Sequence, residues 1–382
     1  HGEVPDSWIG RFDAVAGNPP FLSQLRTRSA RSGAERDAVG PRGYADAAAV
    51  VLGRALRWVV PGGTVALLQP RSIVGSRDGE STRDAVNADH RLAQMWFDDR
   101  AMFAASIRVC LPVVAVGTPD EQESTLVTQG LPVVAVGSVT GGSWSSLAAR
   151  AAGVPWVSIG NDGAHLGQMA DVRADFRQWF YELAEVVYEA ETDQPRPSPD
   201  QLGVLTSGLI DPLYPRWGVA KSSVAKRHYR RPVIDSTWLD DRGESWRSQP
   251  KVIVANQTKV IEAVADAEGV WVGLTPTLSV VPENPNDVWA IAALLTSPVA
   301  TAWAVERSSG SGLSVGAVRL PAELMRAVPL PEDQVKWYEA AAMAQAGSPA
   351  SEVGRHMMSA FAVDDDDLYS WWAARLPKRT GT

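Results

Sequence analysis

Asn18, Pro19, Pro20 and Phe21 stand together where an apolar run, Phe12 to Ala16, ends in a glycine. An asparagine amide offers one carbonyl acceptor and two donors. The carbonyl of Pro19 is a second acceptor, and the residue after it, Pro20, has no N–H to occupy it. Two acceptors at the end of a strand can take both hydrogens of an exocyclic amine. Drawn into that plane, the nitrogen frees its lone pair to attack an electrophile. Phe21 adds a flat face on which an aromatic heterocycle can stack. C-terminal strand ends are also where open α/β sheets bind ligands. The same four residues serve equally as a turn, since Asn-Pro starts turns and Pro-Pro is common in loops.

The elements around this corner read as α/β. FDAVAG (12–17) is a short buried strand. Residues 44–60 place Ala48, Val51, Leu52, Ala55, Leu56 and Val59 on one helical face. PGG (61–63) stops that helix and TVALLQP (64–70) is the next strand, the grammar of a parallel sheet. A second helix spans Gly79 to Ala88, followed by a strand from Leu92 to Phe97. LPVVAVG occurs at 111–117 and again at 131–137; two copies are too few for a solenoid and read as two strands, paired as a hairpin around 118–130. GGSWSSLAARAAG (141–153) enters a short helix, a longer one covers Ala174 to Ala190, and the proline-rich 191–201 is a linker. Beyond it come strands at 251–257 and 269–282, a helix from Asp287 to Ser297, a Gly/Ser loop at 308–316 and a helical tail from Glu332. Asp364 to Asp367 start the last helix, where acids suit its dipole.

At 382 residues the chain has room for two domains of roughly 100–200 residues each. The 45% hydrophobic and 21% charged fractions are those of a globular protein. A single cysteine, Cys110, excludes an internal disulfide framework and fits a reducing cytoplasm. No signal peptide and no membrane-length apolar run is legible. A first residue that is histidine, with a strand almost at once, suggests a segment of something longer or a processed product. Other chemistries find no footing. His1, His90, His165, His228 and His356 lack metal-ligand spacing. There is no G-x-S-x-G elbow and no G-K-[ST] phosphate loop, and Cys110 sits inside a strand as a small core residue.

The formal charge of −8 hides a local reversal. From Arg216 to Arg231 the chain carries six Lys/Arg and no acid, the kind of stripe that binds nucleic acid. Lys221, Lys226, Arg227, Arg230 and Arg231 suit phosphate contacts, with His228 and Tyr229 beside them. A solvated basic loop reads the same. Asn256, Gln257 and Lys259 form a polar burst after a strand; Asn and Gln pair with adenine edges and Lys with guanine, though a strand-to-turn transition uses the same letters.

GNPPF after FDAVA resembles the catalytic motif of S-adenosylmethionine-dependent amino-methyltransferases, Asn/Asp-Pro-Pro-Tyr/Phe/Trp. YADAAAVVLGRALRWVVPGGTVALLQP and RDAVNADHRLAQMWFDDRAMF resemble the segments that follow it in adenine-N6 DNA methyltransferases of restriction-modification and phage-defence systems. KVIVANQTKVIEAVADAEGVWVGLTPTLSVVP and the RSSGSGLSVGAVRL…VPLP stretch resemble their target-recognition domain, so that the likeness spans most of 10–331. The implied fold is α/β: the C-terminal part of a Rossmann-like methyltransferase sheet, followed by an α+β target-recognition domain. The implied domains are a partial catalytic domain (1–140), a helical connector and linker (141–200), a recognition domain (201–331) and a helical tail (332–382).

The resemblance also implies roles. Asn18 and Pro19 accept the adenine N6 hydrogens, Phe21 stacks on the flipped base, and Pro20 holds the corner; Asn18 and Asp46 lie near the cofactor, S-adenosylmethionine. Double-stranded DNA is the implied partner. The family's glycine-rich cofactor motif precedes this corner, yet only 17 residues precede Asn18 and no FxGxG-like sequence occurs. An upstream chain or domain would then complete the cofactor site. Three other readings stay open: methylation of cytosine N4, a non-catalytic or partner-dependent DNA-binding module, and a protein-glutamine methyltransferase.

Overall fold

The structure is a computed structural model and describes residues 6–21, 47–76, 79–98, 108–117, 125–128, 133–136, 143–159, 163–176, 179–309 and 318–378. The chain forms two compact units, His1–Val154 with Glu306–Val315, and Pro155–Val305 with Gly316–Thr382. Both are mixed α/β. Among the described residues no single helix is long and apolar enough to cross a membrane.

The first unit is built on one seven-stranded sheet. Its strands are β1 (Phe12–Gly17), β2 (Val59–Leu67), β3 (Gln69–Pro70), β4 (Arg91–Asp98), β5 (Val109–Ala115), β6 (Thr125–Thr128) and β7 (Val133–Val136), ordered β1-β2-β5-β4-β6-β7 with β3 beside β5. β1 runs parallel to β2 and β4 parallel to β6, whereas β2–β5, β4–β5 and β6–β7 are antiparallel. Helices α1 (Ala47–Trp58), α2 (Glu80–Asp89) and α3 (Ser145–Ala151) cover it. Ala49, Leu52, Ala55 and Leu56 of α1, the face set by helical spacing, join Val65, Leu67, Met95, Phe97 and Leu147 in the core.

Three expectations for this unit are corrected. β1 is an exposed edge, not a buried strand: along it only Val15 is half-buried, because β2 is its one strand partner among the described residues. PGG does not separate helix from strand. The helix ends at Trp58 and β2 starts at Val59, so Pro61, Gly62 and Gly63 form an irregularity inside β2, across which the register jumps from Phe12–Val59 to Ala14–Thr64. Gly62 takes φ +84°, and a Cβ on Gly63 would stand 2.4 Å from the Asp13 carbonyl oxygen. The two LPVVAVG copies do not pair. Both edges of β5 are taken by β2 and β4, and β7 pairs instead with β6, a strand lying inside the expected loop.

The second unit holds two four-stranded sheets. One is β8 (Ala170–Ala174), β20 (Thr277–Pro282), β16 (Lys251–Ala255) and β18 (Ala263–Asp266) in that spatial order; the other is β19 (Trp271–Gly273), β10 (Gln201–Leu205), β15 (Pro232–Asp235) and β9 (Tyr188–Glu189). Three short pairs complete it: β11 (Ile210–Asp211) with β12 (Tyr214–Pro215), β13 (Ser222–Val224) with β14 (Arg227–Tyr229), and β17 (Gln257–Thr258) with β21 (Val318–Arg319). Helices α4 (Phe180–Val186) and α5 (Thr237–Asp240) are short. α6 (Val288–Leu295), α7 (Pro298–Ser308, of which Glu306–Ser308 belong to the first unit), α8 (Ala322–Arg326), α9 (Gln334–Gln345), α10 (Ala350–Ala360) and α11 (Asp366–Ala373) form the C-terminal helical series. Asp365 caps α11, its carboxylate accepting from the Leu368 N–H at 2.9 Å. The Gly/Ser loop expected at 308–316 lies, from 310 on, outside the described residues.

The helix expected over 174–190 is mostly not one. Ala174 closes β8, Phe176 takes φ +30°, which no helix accepts, and among the described residues of this stretch only Phe180–Val186 is helical. The reason is Asp175, whose fully buried carboxylate is claimed by the sheet. Its Oδ1 accepts from Arg247 Nη1 and Ser279 Oγ, each at 2.8 Å, and its Oδ2 from Thr277 Oγ1 at 2.8 Å. The Arg247 guanidinium lies over the rings of Phe176 and Trp246, at 3.9 and 4.2 Å. A second buried pair, Lys251 Nζ to Asp266 Oδ2 at 2.6 Å, ties β16 to β18.

Arg247→Ala would leave Asp175 as an uncompensated buried charge and should cost about 3–5 kcal/mol of stability by urea unfolding; a loss near zero would show that the network does not hold the sheet. Glu262, at the start of β18, is a pH-dependent liability. Burial, then the Asp211 charge, push its carboxyl from 4.5 to about 8 against the pull of Arg216. Between those values the folded protein keeps a proton that the unfolded chain has released, so stability falls as pH rises through that window. The melting temperature should therefore drop between pH 4.5 and about 8 relative to Glu262→Gln, with no difference in slope below it. Parallel curves throughout would refute this.

Candidate active site and nucleic-acid interface

The parallel pair β1–β2 sets the corner. Its register ends at Gly17–Leu67, and the last ladder bond runs from the Leu68 N–H to the Gly17 carbonyl at 3.0 Å. The donor-free prolines thus begin two residues beyond Gly17, past the last ladder bond. Asn18 is exposed, Pro19 buried, Pro20 exposed and Phe21 half-buried. A buried proline flanked by an exposed amide is a rigid mount for that amide at the C-terminal strand end.

Sequence reasoning missed Gln69, the second residue after β2. It is fully buried, and its Nε2 donates to the Ala48 carbonyl in the first turn of α1 at 3.1 Å. Its Oε1 is buried and accepts no hydrogen bond among the described residues. The only sequence signal was a polar letter in an otherwise apolar strand, LLQP. Asp46 lies outside the described residues. S-adenosylmethionine, which the resemblance implies, is held in that family by a glycine-rich turn and a ribose-holding acid; the sequence has no such glycine motif, and among the described residues β1 has no strand partner on its outer edge. The described residues therefore do not by themselves form its cradle. Among them no group of three or more His, Cys, Asp and Glu is placed to hold a metal. Burial pushes the Cys110 thiol up to about 12, leaving it a core residue without nucleophilic character.

The basic stripe folds as a hairpin. Register pairs Ser222 with Tyr229, Ser223 with His228 and Val224 with Arg227, and Ala225 and Lys226 turn the corner at φ +46° and +69°. Lys221, Lys226, Arg227, His228 and Arg230 are exposed. Tyr229 and Arg231 are half-buried and occupied differently. The Tyr229 hydroxyl donates to the Val187 carbonyl at 3.2 Å, and the Arg231 guanidinium lies 6.0 Å from the Trp217 ring. Glu189, also missed, accepts from the backbone N–H groups of Arg230 and Arg231, each at 2.8 Å. Asn256, Gln257 and Lys259 are not part of this hairpin. Asn256 Oδ1 accepts from the Leu320 N–H at 2.7 Å, Gln257 pairs in β17 with Arg319, and Lys259 is exposed.

No protein-family model and no curated protein matches the sequence. Solved structures that align with the chain include the type IIG restriction endonuclease BpuSI, at 12% identity and a TM-score of 0.39 over 97% of this chain and 55% of that one. The DrdV–DNA complex aligns at 8% identity and a TM-score of 0.41 over 86% of this chain and 44% of that one. A putative class I S-adenosylmethionine-dependent methyltransferase from Listeria monocytogenes aligns at 15% identity and a TM-score of 0.25 over 29% of this chain and 34% of that one. The chain covers 55% of the BpuSI chain and 44% of the DrdV chain, about half the length of each.

Proposed function

We propose that this chain is the base-holding and DNA-reading part of a DNA methyltransferase of a restriction-modification or phage-defence system, one that modifies the N6 amine of a flipped adenine. The observation that carries this reading is the Asn18–Phe21 corner, mounted on the C-terminal end of a parallel strand pair with Pro19 buried and Asn18 exposed. In this reading the Asn18 carbonyl and the Pro19 backbone carbonyl accept the two N6 hydrogens, and Phe21 stacks on the base. Extruding that base from the duplex costs a few kcal/mol, which contacts elsewhere on the DNA must offset. S-adenosylmethionine would supply the methyl group.

Completion of the sheet belongs to the same proposal. The outer edge of β1 has no strand partner among the described residues, and Trp8, Ile9 and Phe12 beside it are 43%, 45% and 37% exposed. Such an apolar edge favours a further strand, from another segment or chain, that brings the Rossmann-like cofactor half with it. The open edge equally favours a second reading for the isolated chain, a DNA-binding module without catalysis.

In the protein with its cofactor half present, Asn18→Ala should lower the methyl-transfer rate by on the order of a hundredfold or more while leaving duplex affinity intact, as expected when a positioning group at the reacting nitrogen is removed. Radiolabel transfer to adenine N6, set against a filter-binding affinity, reads both quantities. Undiminished transfer would remove Asn18 from the chemistry, and label on cytosine would move the reading to N4.

A further inference from the structure

We infer that the hairpin β13–β14 enters the major groove of duplex DNA, with its tip Ala225–Lys226–Arg227 against base edges and with Lys221 and Arg230 on flanking phosphates. This rests on the proposed DNA-binding role and adds to it the element, the face and the groove.

Strand alternation divides the hairpin into an anchored face and a bare one. Ser222 and Val224 are buried and Tyr229 half-buried, with Val224 in a core cluster with Leu202, Val204 and Ile234. Ser222 Oγ and Thr206 Oγ1 are hydrogen-bonded at 2.6 Å, and the Tyr229 hydroxyl holds the Val187 carbonyl. The opposite face carries Ser223 and His228, and the same alternation continues through Lys221 and Arg230; all four are exposed. Two consecutive positive-φ residues make the tip only two residues wide.

The exposed cations of the hairpin, Lys221 and Arg230 on the bare face and Lys226 and Arg227 at the tip, have no ion-pair partner among the described residues. Elsewhere in this unit Arg173, Arg196, Arg216, Arg242, Arg247, Arg326 and Arg355 each lie in an ion pair. Among the described residues Lys221, Lys226, Arg227 and Arg230 lie in none. The acid nearest in the chain's hydrogen bonding, Glu189, is turned to the backbone of Arg230 and Arg231 instead. It locks the ribbon without neutralising its side chains.

Groove dimensions select the partner. Paired strands lie about 4.8 Å apart, and a major groove roughly 12 Å wide admits a two-stranded ribbon with its side chains, whereas a minor groove roughly 6 Å wide admits one only after the duplex is bent and the groove widened. The deep, narrow major groove of A-form RNA is closed to it as well.

The test uses the full chain and a random-sequence duplex pool, followed by the sequence selected from it. Lys221→Ala with Arg230→Ala should lower the salt slope of binding by about two, near 0.9 for each phosphate no longer neutralised. Lys226→Ala with Arg227→Ala should weaken the selected sequence about ten- to a hundredfold, the discrimination carried by a side chain on a base edge. Duplex carrying glucosylated 5-hydroxymethylcytosine, whose sugars fill the major groove, should bind poorly, and a minor-groove ligand such as netropsin should not compete. Glu189→Ala should weaken binding, because the ribbon loses its lock to the Arg230 and Arg231 N–H groups; tighter binding, which removal of an acid alone would give, overturns the locked ribbon. Tight duplex binding that survives the tip substitutions, or tolerates glucosylation and yields to netropsin, overturns the ribbon and leaves DNA binding standing. Absence of any duplex binding by the unsubstituted chain overturns the DNA-binding reading itself.

Discussion

The hydrogen-bond ladder between β1 and β2 decides where Asn18 stands, and the ladder closes only because Gly63 carries no side chain. A Cβ there would press on the Asp13 carbonyl and on Val59, at 2.4 and 2.5 Å. Any larger residue would push β2 away from β1 in the middle of the pairing and carry the Gly17–Leu67 end with it. Backbone accounting does the rest. On an edge strand alternate N–H groups donate to the neighbour, so one of two consecutive prolines would always cost a ladder bond, and the pair stands only past the end of the ladder at Gly17. The chemistry proposed for the corner thus depends on a glycine some 45 residues further along the chain, in a segment that touches no substrate in that scheme.

In the second unit the organising constraint is charge burial. A lone ion in a low-dielectric core is intolerable, and Asp175 is fully buried, so five groups have to come to it or to its arginine. Arg247, Thr277 and Ser279 bond its carboxylate, while Glu244 takes the Nε of Arg247 at 2.8 Å and Phe176 takes the guanidinium face. Gly273 is part of the same fit, since a Cβ there would meet Asp175 Oδ2 at 2.2 Å. A buried pair of this sort contributes little net stability over an apolar replacement, and its better-attested use is to fix one arrangement among many. Here it fixes where β8 ends, and so why α4 starts no earlier than Phe180.

That network also explains what was legible in the sequence and what was not. Periodicity read the core face of α1 correctly, because Ala48, Leu52, Ala55 and Leu56 repeat at helical spacing whatever they pack against. The cap at Asp365 and the helix after Trp144 were legible for the same local reasons. The stretch 174–190 was not, since its helical letters are overruled by contacts with Arg247, Thr277 and Ser279, far along the chain. Repetition misled at 111–137: like composition suggested that like strands pair, but β5 already had two neighbours. PGG was read as a helix stop, and its real use in β2 depended on how near β1 runs. The corner was legible as a donor-free turn at a strand end, whereas Gln69 and Glu189 acquire meaning only from the backbone groups that the fold brings to them, the Ala48 carbonyl and the N–H groups of Arg230 and Arg231.

A net charge of −8 is compatible with a DNA-facing hairpin because of distance. At physiological ionic strength the screening length is about 8 Å, so an exposed phosphate responds to the charges within a few residues of it and hardly to the rest of the surface. What matters at the hairpin is that four exposed cations lack acidic partners among the described residues, and that the one acid bonded to it spends its oxygens on backbone amides. The acids gathered elsewhere then act against DNA approaching from other directions. On the proposed reading, a local patch of this kind would orient the encounter with a duplex before any base is read.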